Sequence, residues 1–398
     1  MLSLNPADSA NYLSSNSFWR SSMKVKIIEN DKDFLSLKND WNKLSINLPN
    51  NFNWLYKWWW YYKRNNELKI LVAEENSEVI GIAPLYIQNT TIFRYFHYRK
   101  LQLLGGLTSC NFDFLIKDTE NRENIFKYFI NYIFTNFKFD IFEFSRINTN
   151  CKNFELWAKY SLHYDLYFKE LMFYRKINLN KFKSYEEYYR SLNNDLKEVI
   201  TLAAKKIKRE RLKVEYVFSK EISENDFKVI TNINIKNQNY LLDKGITPEF
   251  HNYSDVRSKN FLKEYFCLDN SGSSIMAYMK INGRIIAYLL LLKNNDSIYV
   301  CNGGFLDQYK EYSPFNLLIN AQIKYAFQHS FKYFDFMEGN EEYKEQWSND
   351  ASKIYTLNKN KSFKSRIISI AQAMPPVLQF RKNHFEEDLM ESDDLYKI

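Results

Sequence analysis

Glycine is scarce in this sequence, at 9 of 398 residues, against the roughly 7% usual in proteins. Where one stands, backbone geometry is the first reason to consider. Proline is also sparse, at 7, so collagen-like and Pro/Gly-rich disordered chains are excluded. The four cysteines, Cys110, Cys151, Cys267 and Cys301, form no CxxC pair. That argues against a zinc site and a disulfide framework, and suits a reducing compartment. The five histidines, His97, His163, His251, His329 and His384, stand isolated. The dinucleotide, P-loop, α/β-hydrolase and HExxH zinc-protease motifs are all missing. The longest apolar run, Ile285 to Leu292, is far short of the ~18–20 residues of a membrane span. The polar N-terminus has no apolar core of a secretory signal.

What is present is ordinary for a globular protein: 45% apolar and 26% charged residues. Aromatics reach 18%, with 30 Tyr and 32 Phe, a mix that reflects AT-rich coding and makes any single Tyr uninformative. Lys and Arg number 55 against 47 acidic residues, for a net charge of +8. That balance permits an anionic ligand such as a nucleotide or acyl-CoA, or an anionic surface. At ~100–200 residues per domain, the length predicts two domains or three.

The pattern of residues predicts an α/β architecture, mixed α+β, written twice. Residues 1–22 are Ser/Asn-rich and read as a flexible segment. A first unit, 23–180, opens with a strand at 23–28, a helix over 31–48 and a Trp-rich helix over 51–62. Strands follow at 68–73, 79–87 and 100–104, the last closed by Gly105-Gly106. A helix over 124–137 and a strand at 140–144 complete it. A second unit, 181–352, has a long helix over 185–212, a strand at 214–218, and helices over 224–242 and 258–268. A hairpin of 274–280 and 284–292 turns at Asn282-Gly283, a strong two-residue turn signal. The strand 297–302 ends at Gly303-Gly304, the helix 314–329 follows, and a strand occupies 333–337. Residues 353–398 read as a tail. Each unit holds a hairpin, a strand closed by Gly-Gly, a helix and a strand of the Phe-Asp-Ile-Phe-Glu-Phe kind.

Two stretches carry candidate chemistry. Ser313-Pro314 suits a helix start, and the free N–H groups of Phe315, Asn316 and Leu317 would seat a phosphate or pyrophosphate, with Lys310 adding charge. An ordinary capped helix reads the same way. Beyond the next strand, Asp335, Glu338, Tyr343, Lys344 and Trp347 crowd together after Gly339. Carboxylates at the end of a strand suit proton removal from an amine, and Tyr343 could return a proton to a thiolate; a solvated turn with an ion pair is the alternative. The basic run Lys205 to Lys213 could meet phosphates of RNA, a nucleotide or a lipid head group.

These residues, taken in order, resemble the acetyltransferases of the GNAT superfamily of the cellulose-biosynthesis-associated (CelD/BcsL) type. That family is related to the Fem aminoacyltransferases, which carry two GNAT-like domains in tandem. The resemblance spans roughly residues 50–350 and rests on Val79 to Tyr86, Leu103-Leu104-Gly105 with Asn111 to Leu115, the basic helix 190–213, Ile281 to Ala287 and Tyr312-Ser313-Pro314. Its clearest part is Phe334 to Gly339 with Tyr343, Lys344 and Trp347. It implies a tandem pair of GNAT-like domains, each a central mixed sheet flanked by helices, with the donor in the second.

The same resemblance implies an N-acyltransferase, transferring groups other than aminoacyl groups. Acetyl-CoA or another acyl-CoA would be the co-substrate, with no metal. The acceptor would be an amine, an amino sugar or related molecule of bacterial cell-envelope polysaccharide or glycolipid synthesis. Lys310 and Ser313 to Leu317 would lie at the donor pyrophosphate, and Glu338, Asp335, Tyr343 and Lys344 at the reaction centre. Asp113 and Trp347 would touch the acceptor. The setting would be the cytoplasm, with room for peripheral contact with a membrane. Three positions depart from the family. Phe315 replaces a glycine, Glu338 replaces an arginine, and Lys236-Asn237-Gln238 replace a His/Arg/Trp cluster. Two alternatives stay open: an aminoacyl-tRNA-dependent, Fem-like transferase, and a binding protein that keeps the fold without catalysis.

Overall fold

The computed structural model describes residues 23–45, 50–92, 96–106, 109–245, 253, 255–268 and 272–361. The segments 1–22 and 362–398, expected as a flexible start and most of a tail, lie outside the described residues. The first half runs β1 (Met23–Ile28), α1 (Asp31–Ser36), α2 (Lys38–Leu44), α3 (Phe52–Tyr62), β2 (Glu67–Leu68), β3 (Ile70–Glu75), β4 (Glu78–Ala83), β5 (Leu85–Ile92), β6 (Phe96–Leu103) and β7 (Leu115–Ile116). It continues with α4 (Arg122–Asn136), β8 (Ile141–Asn148), α5 (Phe154–His163) and β9 (Tyr167–Asn178). The second half runs α6 (Tyr185–Ser191), α7 (Asn194–Arg209), β10 (Val214–Ser219), α8 (Glu224–Asp243), α9 (Val256–Leu268), β11 (Ser274–Ile281), β12 (Arg284–Lys293) and β13 (Ser297–Phe305). It ends with α10 (Pro314–Gln328), β14 (Tyr333–Glu338), α11 (Glu342–Trp347) and β15 (Asp350–Asn360).

Local chemistry explains several departures from the periodicity. The long helix expected over 185–212 is two helices: Leu192 is extended, and Asn193 accepts from the Leu196 N–H to start α7. The helix expected over 31–48 likewise divides at Leu37. The strand expected over 79–87 breaks at Pro84, which lacks an N–H for a ladder, so β4 and β5 enter different sheets. Asn282 and Gly283, both at positive φ (50° and 82°), make the predicted tight turn. The strand expected to stop at Gly303-Gly304 runs on to Phe305.

The strands form a sheet of order β1-β3-β4-β7 and an 11-stranded sheet of order β10-β11-β12-β13-β14-β9-β15-β8-β6-β5-β2. The long sheet belongs to both halves because they exchange their last strands. β9, from the first half, pairs with β14 of the second. β15, from the second, lies between β8 and β9. Residues 353–360 are thus not tail: they are most of a central strand. A tail is unpaired, whereas Ile354 and Leu357 here are fully buried.

The halves also share a core. Trp54, Trp58 and Trp59 of α3 are buried, while Trp60 is 57% exposed. The Trp54 ring packs edge-on against Phe261 and Tyr265 of α9, at 4.8 and 4.6 Å, a geometry that adds to the burial of aromatic surface. The Trp-rich helix is therefore a core element. Ile354→Ala on the exchanged strand is expected to cost about 2–5 kcal/mol and to lower one shared calorimetric transition. Two transitions, only one of them moved, would show that the halves unfold separately.

Candidate active site

β13 and β14 run parallel only where Ser297, Ile298 and Tyr299 face Tyr333, Phe334 and Asp335. Beyond that they diverge. A bulge at Cys301, where the register with β12 slips between Val300 and Asn302, helps turn β13 away. Among the described residues, no strand pairs with that side of β13 past Tyr299. The first half holds an equivalent divergence, since β6 and β8 pair in parallel only at Lys100–Leu101 and Ile141–Phe142. There the chain fills its own gap. Phe112 donates its N–H to the Arg146 carbonyl (3.1 Å), and Asn148 Nδ2 donates to Asn111 Oδ1 (2.5 Å). Only the second half leaves the gap for side chains to fill.

Phe315, the second residue of α10, fills much of it. A Cβ added at Gly303 of β13 would come within 2.8 Å of the Phe315 ring. That ring stands edge-on to Tyr343 at 5.2 Å, and Tyr343 edge-on to Phe336 of β14 at 6.0 Å. An aromatic bridge thus spans the diverging strands. Ser313 sits at φ 42°, ψ 50°, and its hydroxyl does not cap the helix. It accepts instead from Asn316 Nδ2 (3.1 Å). The Lys310 ammonium pairs with Asp307 (3.6 Å) and is exposed. Leu317 is buried, and its N–H bonds the Ser313 carbonyl, so it is not free for a ligand.

The predicted carboxylates gather at the end of β14. Asp335 is 5% exposed; it accepts from the Tyr174 hydroxyl (2.7 Å) and from the Met337 N–H (2.7 Å). Burial pushes its carboxyl up to about 7, against the hydrogen bonds that lower it. Glu338 is equally buried, and its Oε1 meets Arg146 Nη1 of the first half at 2.5 Å. The same nitrogen donates to the Ser109 carbonyl (2.9 Å). An arginine from the first half thus meets Glu338, the position at which the resemblance implies an arginine. Lys344 is buried, its ammonium donating to the Glu338 carbonyl and pairing with Glu341 at 3.0 Å. Burial pushes the Tyr343 phenol well above its usual range, so it stays a proton donor.

Two predicted acceptor contacts fall elsewhere. The Asp113 carboxylate accepts from the N–H groups of Phe114 (2.8 Å) and Asn153 (3.0 Å) and from Trp157 Nε1 (3.1 Å). It anchors the start of α5 in the first half rather than facing a ligand. Trp347 is fully buried in the core, its indole N–H donating to Asn316 Oδ1 (3.3 Å). Trp347 has no surface to offer an acceptor, and Asp113, though partly exposed, has both carboxylate oxygens engaged within the first half. Arg146 and Tyr174 were missed. The signal for Arg146 was one arginine inside an aromatic strand, and its partner is remote in sequence.

Residues 251–345 match the family described as Acetyltransferase (GNAT) domain. No curated protein matches by sequence. Among solved structures, FemX is similar at a TM-score of 0.55 and 11% identity, over 83% of this chain and 96% of that one. A conserved protein of unknown function from Bacteroides thetaiotaomicron gives 0.51 and 11%, over 84% and 99%. The C-terminal DUF2156 domain of a proposed lysylphosphatidylglycerol synthetase from Agrobacterium fabrum gives 0.50 and 10%, over 86% and 97%. The fold is therefore mixed α+β, a tandem pair of GNAT-like units. The match to the acetyltransferase (GNAT) family lies within the second unit.

Arg146→Ala leaves a buried carboxylate without its guanidinium and is expected to cost about 3–5 kcal/mol. The double change to Met at Arg146 and Glu338 should recover most of that, read by denaturant unfolding. Asp335 predicts a pH effect. Its carboxyl is raised from 3.8 unfolded to about 7 folded, so it stabilises fully below the unfolded value, and the contribution is lost as pH climbs through 7. The melting temperature of the parent should fall relative to Asp335→Asn across that window; parallel curves would contradict it.

Proposed function

We propose that this chain is an N-acyltransferase of the cellulose-biosynthesis-associated type. It would move an acetyl or longer acyl group from acyl-CoA to an amine, an amino sugar or related acceptor of cell-envelope polysaccharide or glycolipid synthesis. Its working units are residues 23–180 and 181–352, the second extended by β15. The observation that carries this reading is the divergence of β13 from β14 beside the start of α10, within the residues that match the GNAT family.

In this reading, the lone pair of a neutral amine attacks the thioester carbonyl carbon. The C–S bond breaks, the thiolate leaves with CoA, and the amine gives up a proton. Backbone N–H groups of the diverging strand near residues 301–303 polarise the carbonyl. Asp335, poised near neutrality, takes the proton through water, since its buried oxygens already hold Tyr174 and Met337. Glu338 serves less well as a base, because Arg146 occupies one of its oxygens. Tyr343 returns a proton to the thiolate. The N–H groups of Phe315 and Asn316, with Lys310, hold the pyrophosphate. The Phe315 ring must swing aside for the thioester arm to enter.

A second reading, an aminoacyl-tRNA-dependent transferase, draws on that same ring and on the exposed Lys205, Lys208 and Arg209 at the end of α7. Part of this basic charge is offset, since Lys206 pairs with Glu311 at 2.5 Å.

Thermal shift with acetyl-CoA, longer acyl-CoAs and free CoA tests the first reading, because a ligand that binds only the folded chain raises its melting temperature. A shift is expected, and Phe315→Gly should enlarge it. A ring that fills the seat about 90% of the time weakens binding about tenfold. No shift with either protein would sink the acyl-CoA reading. Retention of aminoacyl-tRNA that vanishes on reversing Lys205, Lys208 and Arg209 would favour the second. Binding of neither donor would leave a non-catalytic binding protein.

A further inference from the structure

Across β13 from Phe315, a neutral polar cluster is buried in the second half. Asn234 of α8 is 3% exposed. Its Nδ2 donates to the Tyr288 hydroxyl (2.9 Å) and to Asn302 Oδ1 (3.4 Å). The Tyr288 hydroxyl donates to the same Asn302 oxygen at 2.5 Å. With its amide nitrogen committed to β12 and β13, the Asn234 carbonyl oxygen is turned from both, buried, and without a hydrogen-bond partner. One turn further along α8, Asn237 packs over Gly304. Its Oδ1 is likewise buried and unpartnered. Buried polar atoms in native proteins are nearly always paired. Two carbonyl oxygens left open on one helix face therefore call for a partner that brings donors.

The chemistry of that partner is narrow. Amide oxygens only accept, so it must present O–H or N–H groups. Among the described residues, no Lys, Arg, His, Asp or Glu side chain bonds to Asn234, Asn237, Tyr288 or Asn302. A phosphate or carboxylate bonded to these four residues would be paired with no cation among them, and burying a charge unpaired is costly. Burial pushes the Tyr288 phenol up, so it too stays neutral. The place also fits. Asn302 follows the bulge at Cys301 and precedes Gly303, on which Phe315 rests.

We infer that Asn234, Asn237, Tyr288 and Asn302 form the acceptor subsite, and that it takes an uncharged, hydroxyl-bearing amine of the amino-sugar class. The Asn234 and Asn237 carbonyls accept from its O–H and N–H groups. This rests on the acyltransferase reading for what happens to the amine, but not for the binding itself.

Saturation-transfer NMR on the full chain, with methyl glucosaminide and glutamate as probes, tests it without any donor present. The glucosaminide is expected to bind and glutamate not. Asn237→Ala and Asn234→Ala should each weaken binding about tenfold, the effect of one lost hydrogen bond to a buried group. Asn237 lies nearer the surface, so its variant is the safer one to fold, and an unchanged melting temperature confirms that it has. Equal affinity in parent and both variants overturns the inference. So does an acyl-CoA thermal shift in a protein that binds no amino sugar. Amino-sugar binding without any acyl-CoA shift would keep the subsite and remove the acyltransferase reading.

Discussion

Everything in this molecule that could be chemical hangs on the exchange of two strands. β9 leaves the first half to lie against β14, and β15 leaves the second to lie against β8. The crossing brings the ends of β8 and β14 together in the middle of one sheet. Both strands are distorted near there, Arg146 at φ 66° and Met337 at φ 60°. Such left-handed residues cost energy that surrounding contacts must offset. The contact at hand is the Arg146–Glu338 ion pair, closed from one half to the other. A buried ion pair adds little net stability, but it is strongly directional. It fixes where β14 ends and therefore where Asp335, Tyr343 and Lys344 stand.

The two halves treat the same opening differently. In the first, Phe112 and Asn111 bond across it to β8. In the second, it is closed by rings alone. Rings on single bonds can move, whereas a hydrogen-bonded segment of backbone moves only by unfolding. The asymmetry leaves the opening of the second half the more easily unblocked. It also gives Phe315 two sides: in place it keeps water from the strand, and displaced it leaves an edge of unpaired backbone.

Much of the fold was legible in the sequence because the signals were local. Asn282-Gly283 fixed the hairpin register, helical spacing placed α4, α8 and α10, and alternation around Asp335 marked β14. The order of elements even showed the repeat. What stayed hidden depends on distant partners. Nothing in Tyr167–Asn178 or Asp350–Asn360 says which strands they will join, and the first went unassigned while the second read as tail. The site divided on the same line. Asp335, Glu338, Tyr343 and Lys344 cluster in the chain and also cluster in space. Arg146 was missed because its partner lies in the other half. A carboxylate beside a gap, or a tryptophan after a motif, gives no sign of which way it points: Asp113 bonds the start of α5 and Trp347 points into core.

β15 occupies the centre of the long sheet yet is the last strand of the described chain to be made. Until it is in place, β8 and β9 are separated by the width of one missing strand, and the edges of both are bare. Unpaired edges of this kind invite association with other chains. During synthesis, the first half thus spends the translation of residues 179–349 with its seam open. The interval between making the gap and filling it is the period when this protein most needs shielding from its neighbours.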